Sequence, residues 1–286
     1  VPFLELPSGA VRYDIYGPEV SAAPPVVLVH GLLNDAVIWT EVAERLAGQG
    51  IRSYAPDWPL GSHTVPRDRD ADQSPRGIAR LIVEFLAGLE LSNVTLVGND
   101  TGGALCQFVI DEDPSRVARL VLGNCDAFDV FPPEAFARLF AAMRSERQVA
   151  LLAKLMRLRP LRQSGLGFGP LAHNLPADLT ARWIRPLNEN PGSVADLARF
   201  ARAVDPAELL ELSTRLHRFT GPVTLAWGTD DQAFTEELGR RLQQAFSDAT
   251  FVPIPGARTL TPLDAPEALA EQIAAIAARP ASTDQK

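Results

Sequence analysis

Gly98-Asn99-Asp100-Thr101-Gly102 sets a carboxylate between two glycines, directly after the apolar run Val94-Thr95-Leu96-Val97 and ahead of Gly103-Ala104-Leu105. A strand that turns this tightly into a helix leaves its central side chain standing free, and glycines on either side permit the close backbone approach. Ser is the usual central residue. Asp in its place gives a carboxylate nucleophile, suited to alkyl carbon or phosphorus. Asp100 has two other readings: a general base taking a proton from substrate carbon or oxygen, or a carboxylate held idle by a helix N-terminus.

The elements that must position this turn follow from the pattern of apolar runs. Strands are expected at Phe3–Leu6, Val11–Tyr16, Val26–His30, Ile51–Ala55, Val94–Gly98, Val117–Leu122, Val223–Trp227 and Thr250–Ile254, the first two as an antiparallel hairpin. Helical patterns fall at Ala36–Ala47, Ser74–Leu89, Gly103–Asp111, Thr235–Phe246 and Pro266–Ala278. Such alternation is the mark of a mostly parallel sheet with helices on both faces. Pro24-Pro25 can only lead into a strand, because proline has no N–H for the ladder. Between Leu122 and Val223 the alternation gives way to helical periodicity broken by prolines, which predicts a helical insert. Its break at Gly165–Pro170 reads either as a flexible lid or as a plain connection. Domain boundaries are set at 1–126 with 218–286 for the core and 127–217 for a helical cap, and Ala281–Lys286 is expected to fray.

The elbow, together with Val26-Val27-Leu28-Val29-His30-Gly31 at the end of an earlier strand, resembles the α/β-hydrolase superfamily, in particular its Asp-nucleophile branch of haloalkane dehalogenases and epoxide hydrolases. The likeness runs from about Phe3 to Ala278, leaving out the cap. It implies an α/β-hydrolase fold: an eight-stranded, mostly parallel sheet flanked by helices, with an inserted helical cap. It also implies an oxyanion hole from the backbone amides of Leu32 and Thr101, with His30 as a structural residue of its loop. Leu225-Ala226-Trp227-Gly228-Thr229-Asp230-Asp231 resembles the strand end that presents the acidic triad member, and the family spacing picks Asp231. Asp264-Ala265-Pro266-Glu267 then aligns Thr259 with the position of the catalytic histidine.

That departure matters, because Thr cannot act as the base that frees an ester intermediate by activating water. The histidines left to substitute are His63, in the loop after the fourth strand, and His173 and His217 in the cap. Thr259 is assigned the positioning of water or substrate. The pocket candidates are His30, Asn34, Trp58, His173 and Trp183. Other family parts are also missing. Thr101 stands where halide-binding members carry an indole donor or an arginine, and Leu32 where Asn is common. The three tyrosines, Tyr13, Tyr16 and Tyr54, all precede the cap. The resemblance therefore implies a cofactor-independent hydrolase acting on a small organic substrate through Asp100. The rivals are a lyase, cyclase or isomerase using Asp100 as base, and a catalytically silent protein that binds a small ligand.

Composition narrows the setting. In 286 residues, 46% hydrophobic, no apolar run reaches the ~20 residues of a membrane span. A net charge of −8 argues against nucleic acid or anionic membrane as partner. The charge is uneven: 127–217 holds 12 Arg and Lys against 9 Asp and Glu, net +3, which leaves −11 elsewhere. Cys106 and Cys125 read as buried thiols of a reducing compartment, and no Cys/His cluster has metal-ligand spacing. With no recognisable signal peptide, a cytoplasmic monomer or homodimer is expected, requiring neither metal nor cofactor.

Overall fold

The computed structural model describes residues 2–7 and 9–280; the expected frayed segment 281–286 lies outside them. Eight strands form one sheet: β1 (Phe3–Leu4), β2 (Val11–Tyr16), β3 (Val26–Val29), β4 (Ser53–Pro56), β5 (Val94–Asp100), β6 (Val117–Cys125), β7 (Val223–Gly228) and β8 (Ala249–Ile254). Their spatial order is β1-β2-β4-β3-β5-β6-β7-β8. β1 and β2 form the expected antiparallel hairpin, β2 pairs antiparallel with β4, and every later pairing is parallel. β3 and β6 are buried along their whole length, as parallel strands covered on both faces must be. β3 starts at Val26, directly after the proline pair.

Helices 40–48, 75–88, 101–112, 236–245 and 266–277 cover the two faces. Their starts are chemically marked. Ser74 accepts from the Gly77 amide ahead of Pro75, and Thr235 accepts from the Leu238 amide. Two strands run further than their apolar patterns suggest: β5 continues to Asp100 itself, and β6 to Cys125. Both extensions carry polar residues to the carboxyl end of the sheet, where open α/β sheets bind ligands. Between β6 and β7, apart from an isolated bridge between Ala127 and Val130, the regular elements are helices, the longer ones spanning 146–155, 177–189 and 191–203.

The segment Gly165–Pro170 is a turn-rich connection tied back to the preceding helix. The Phe168 amide donates to the carbonyl of Arg162, and the Phe168 ring meets Trp183 edge-on at 5.3 Å between centroids. Cys106 and Cys125 are buried free thiols. No helix among the described residues is long and apolar enough to cross a membrane.

Candidate active site

Asp100 ends β5 at φ 57° and ψ −136°, a backbone conformation that L-residues adopt only under constraint. The constraint is close packing made possible by glycines. A Cβ on Gly102 would lie 2.1 Å from the carbonyl oxygen of Val29, and one on Gly98 would lie 2.6 Å from the Gly102 carbonyl oxygen. A Cβ on Gly31 would fall 2.0 Å from Oδ2 of Asp100 itself. The loop after β3 and the elbow therefore interlock with no space for a methyl group. The backbone amides of Thr101 and Leu32 donate to the Asp100 carboxylate, so the two N–H groups of the expected oxyanion hole converge on this side chain. Burial drives its pKa up to about 7, the Thr101 amide pulls it down, the negative charge of Asp231 raises it and the Leu32 amide lowers it.

The loop carrying Leu32 is fixed from behind. Asp57 accepts from the Ala36 amide at 2.8 Å and pairs with Arg12 at 2.8 Å. Asp35 accepts from the Val37 amide at 3.2 Å and from the Trp183 indole at 3.1 Å, and is also paired with Arg182. Trp183 thus fastens the helical insert to this loop rather than lining a pocket. Trp58 likewise belongs to the core, its indole donating to the Leu28 carbonyl at 3.3 Å. Both ends of the Asn34 carboxamide are buried without a hydrogen-bond partner, and its side chain is absent from the cavity wall.

Asp100 opens onto a cavity of about 110 Å³ between the sheet end and the insert. Leu, Phe, Met, Val, Ile, Ala and Pro side chains make most of its wall, and Gly167 and Phe168 of the turn-rich connection contribute to it. Among the described residues, the only polar side chains on it are Asp100, Thr101 and Asp126. Asp126 was not anticipated from sequence. It follows the last residue of β6, is 2% exposed, and accepts from the Thr101 hydroxyl. Burial holds its pKa well above the usual carboxylate range, and the charge of Asp100 raises it further. The available signal was a carboxylate at the carboxyl end of the strand beside the nucleophile strand.

Asp231 and Thr259 are in contact: the Thr259 hydroxyl donates to Oδ2 of Asp231 at 2.8 Å. Oδ1 of Asp231 accepts from the Ala233 and Phe234 amides at 2.8 and 3.1 Å. Burial nevertheless raises the pKa of Asp231. Thr259 is fully buried and its hydroxyl is used on Asp231, away from the cavity wall, so it is not placed to hold a water there.

The histidines lie elsewhere. Nδ1–H of His30 donates to the Gly31 carbonyl at 2.9 Å while Nε2 accepts from the Trp58 amide at 2.9 Å; burial lowers its pKa and keeps it neutral. His63 is buried against Asp196 of the insert, with Nε2 3.0 Å from Oδ2, and its Nδ1 accepts from the Gly61 amide. Its catalytic assignment is not met by this position, because both ring nitrogens are engaged away from the cavity. His173 sits on the surface, paired with Asp230 at 3.0 Å. No histidine lines the cavity. Among the described residues, no group of His, Cys, Asp and Glu could hold a metal ion.

A family model of the alpha/beta hydrolase fold matches residues 24–266, which takes in strands β3 to β8, the elbow and the insert. The chain belongs to the α/β hydrolase fold family. It is 29% identical over 273 residues to haloalkane dehalogenase 2 of Mycobacterium tuberculosis, covering 92% of this chain and 91% of that protein. The solved structure of epoxide hydrolase CorEH matches with a TM-score of 0.78 at 17% identity, covering 96% of this chain and 97% of that one. A proposed ancestral haloalkane dehalogenase, AncHLD2, matches with a TM-score of 0.78 at 20% identity, covering 98% and 100%. These two structural likenesses establish the shared fold.

Proposed function

We propose that the protein is a hydrolase that acts on a small apolar substrate through an ester at Asp100. The observation that carries this reading is the Asp100 carboxylate, held at φ 57° on a strand-to-helix elbow, received by two backbone amides and open to an apolar cavity. A carboxylate oxygen attacks an alkyl carbon, the bond to the leaving group breaks, and the ester remains on Asp100. Water then attacks the ester's carbonyl carbon, the bond from that carbon to the alkyl oxygen breaks, and one proton of the water leaves with the alcohol while the other stays on the Asp100 carboxyl group. The negative charge that develops on the carbonyl oxygen falls on the Leu32 and Thr101 amides, which need no rearrangement to receive it. The helical insert acts as the cap that keeps bulk water from the apolar wall. Asp231 and Thr259 form a buried acid–hydroxyl pair in place of the acid–histidine pair of the family.

The similarity to a dehalogenase in sequence and to an epoxide hydrolase in structure supports carbon–halogen or carbon–oxygen bond cleavage. Intact-protein mass spectrometry after incubation with haloalkanes, epoxides and activated esters tests the reading. The expected result is an adduct or released product with the wild type and neither with Asp100→Asn. Equal adduct formation by the two proteins would exclude Asp100 as nucleophile.

A second reading draws on the elevated pKa of Asp100, near 7, which also suits a general base. In that case the same pocket serves a lyase or isomerase. Exchange of a substrate C–H proton with solvent, lost in Asp100→Asn and without ester formation, is its signature.

A further inference from the structure

Among the described residues, Asp126 is the one buried carboxylate on the cavity wall that the ester mechanism leaves without a task. Its distance from Asp100 follows from the sheet register. Asp100 and Cys125 are direct partners across β5 and β6, and Asp126 is the next residue. With strands ~4.8 Å apart and ~3.3 Å of rise per residue, the two Cα atoms lie about 6 Å apart. Thr101 joins the side chains, its amide donating to Asp100 and its hydroxyl to Asp126. Two carboxylates this close in an apolar pocket cannot both be charged at low cost, so the pair keeps a proton.

The leaving group decides what that proton is for. A halide departs as an anion and takes no proton, and among the described residues the cavity wall carries no indole, carboxamide or cationic side chain to hold it. An epoxide oxygen has the opposite need: it requires a proton as its C–O bond opens. We propose that Asp126 is the acid–base partner of Asp100 and that the cavity takes an epoxide with apolar substituents. This assignment rests on Asp100 acting as the nucleophile.

The steps balance. The Asp100 carboxylate forms a bond to an epoxide carbon, the ring C–O bond breaks, and protonated Asp126 gives its proton to the ring oxygen. Water next attacks the ester carbonyl carbon while the Asp126 carboxylate takes one of its protons. The bond from that carbon to the product oxygen then breaks, and Asp126 returns the proton to the departing oxygen. Asp100 is left holding the second proton of water and passes it to Asp126. One epoxide and one water give one diol, and the pair again holds a single proton. The single residue Asp126 would thus take both the acid role and the base role, the second of which falls to histidine in the family pattern.

The test uses styrene oxide and phenethyl bromide, which share a carbon skeleton, with wild type, Asp126→Asn, Asp126→Glu and Asp100→Asn. Asp126→Asn preserves the shape and the acceptor for Thr101 but cannot donate a carboxyl proton. The expected result is diol formation from styrene oxide by the wild type, with ester formation slowed roughly 10²–10⁴-fold in Asp126→Asn and partly recovered in Asp126→Glu. The pH profile of ester formation should be a bell in the wild type, with macroscopic limbs belonging to the pair. It should lose its alkaline limb in Asp126→Asn, which a merely structural role would not cause. Ester formation by Asp126→Asn at the wild-type rate overturns the acid role of Asp126. Turnover of phenethyl bromide but not styrene oxide overturns the epoxide assignment and leaves Asp100 as nucleophile. Diol formation that survives in Asp100→Asn removes the reading on which both rest.

Discussion

Asp100 is the residue on which fold and chemistry press hardest, and glycines carry the strain. Gly31→Ala would set a methyl carbon 2.0 Å from Oδ2 of Asp100, so either the carboxylate or the loop must move. We expect it to cost ~1–3 kcal/mol of stability in urea unfolding, as overpacking does, and to abolish ester formation even in the protein that folds. Asp100 also destabilises the fold at neutral pH. Its folded pKa of about 7 lies above the ordinary carboxylate value. The stability linked to its proton is therefore complete below pH ~4 and is lost as pH rises through 7. Asp100→Asn removes that loss. Its melting temperature should exceed the wild type's at pH 8 by roughly 2–4 °C, and the gain should vanish at pH 4. A constant difference across that range would contradict the buried-charge account.

At the scale of elements, the insert is held to the sheet by polar clamps as well as by apolar contact. His63, in the loop after β4, bonds Asp196 in helix 191–203, and Asp196 also accepts from the Arg67 amide at 2.8 Å and from Arg199 at 2.6 Å. Burial raises the pKa of Asp196, but the bonds from His63, Arg199 and the Arg67 amide outweigh it and hold the group below the usual range. Ser62 donates to the Trp183 carbonyl, and Ser193 donates to the His63 carbonyl, at 2.9 Å each. His63→Ala leaves part of Asp196 unpaired and should cost ~1–3 kcal/mol in chemical denaturation. Because His63 is off the cavity wall, the rate of ester formation at Asp100 should change less than threefold, about 0.65 kcal/mol by the transition-state relation. A loss comparable to that of Asp100→Asn would return His63 to the chemistry. The same element explains why Asp126 escaped notice. The apolar pattern of β6 stops at Leu122, while its backbone pairing carries on through Asn124 and Cys125, whose side chains are buried.

For the whole molecule, opposing sets of carboxylates define the pH range of stability. Asp100, Asp126 and Asp231 are raised, chiefly by burial, and their contribution fades as pH climbs through their folded values. Asp111, held down first by Arg215 and then by Arg76, and Asp196 act in the other sense. Their stabilisation is present above the ordinary carboxylate pKa and is lost as pH falls through their lowered values. Thermal unfolding should therefore peak between pH ~4 and ~7 and decline on both sides. A maximum at or above pH 8 would show that the buried trio is charged without cost.

Sequence alone determined the order of strands and helices, the helical insert and the elbow at Asp100, because each is written in local periodicity or in short spacing. Residues 98–102 dictate their own turn, since the two glycines and the flanking apolar runs are contiguous. Tertiary structure decided which polar groups share the cavity. Asp126 reaches Asp100 through strand register, His63 turns to a residue of the insert far along the chain, and Thr259 spends its hydroxyl on Asp231. Each outcome depends on how buried polar groups find partners across distant segments. That competition is settled only when the sheet and the insert close on one another.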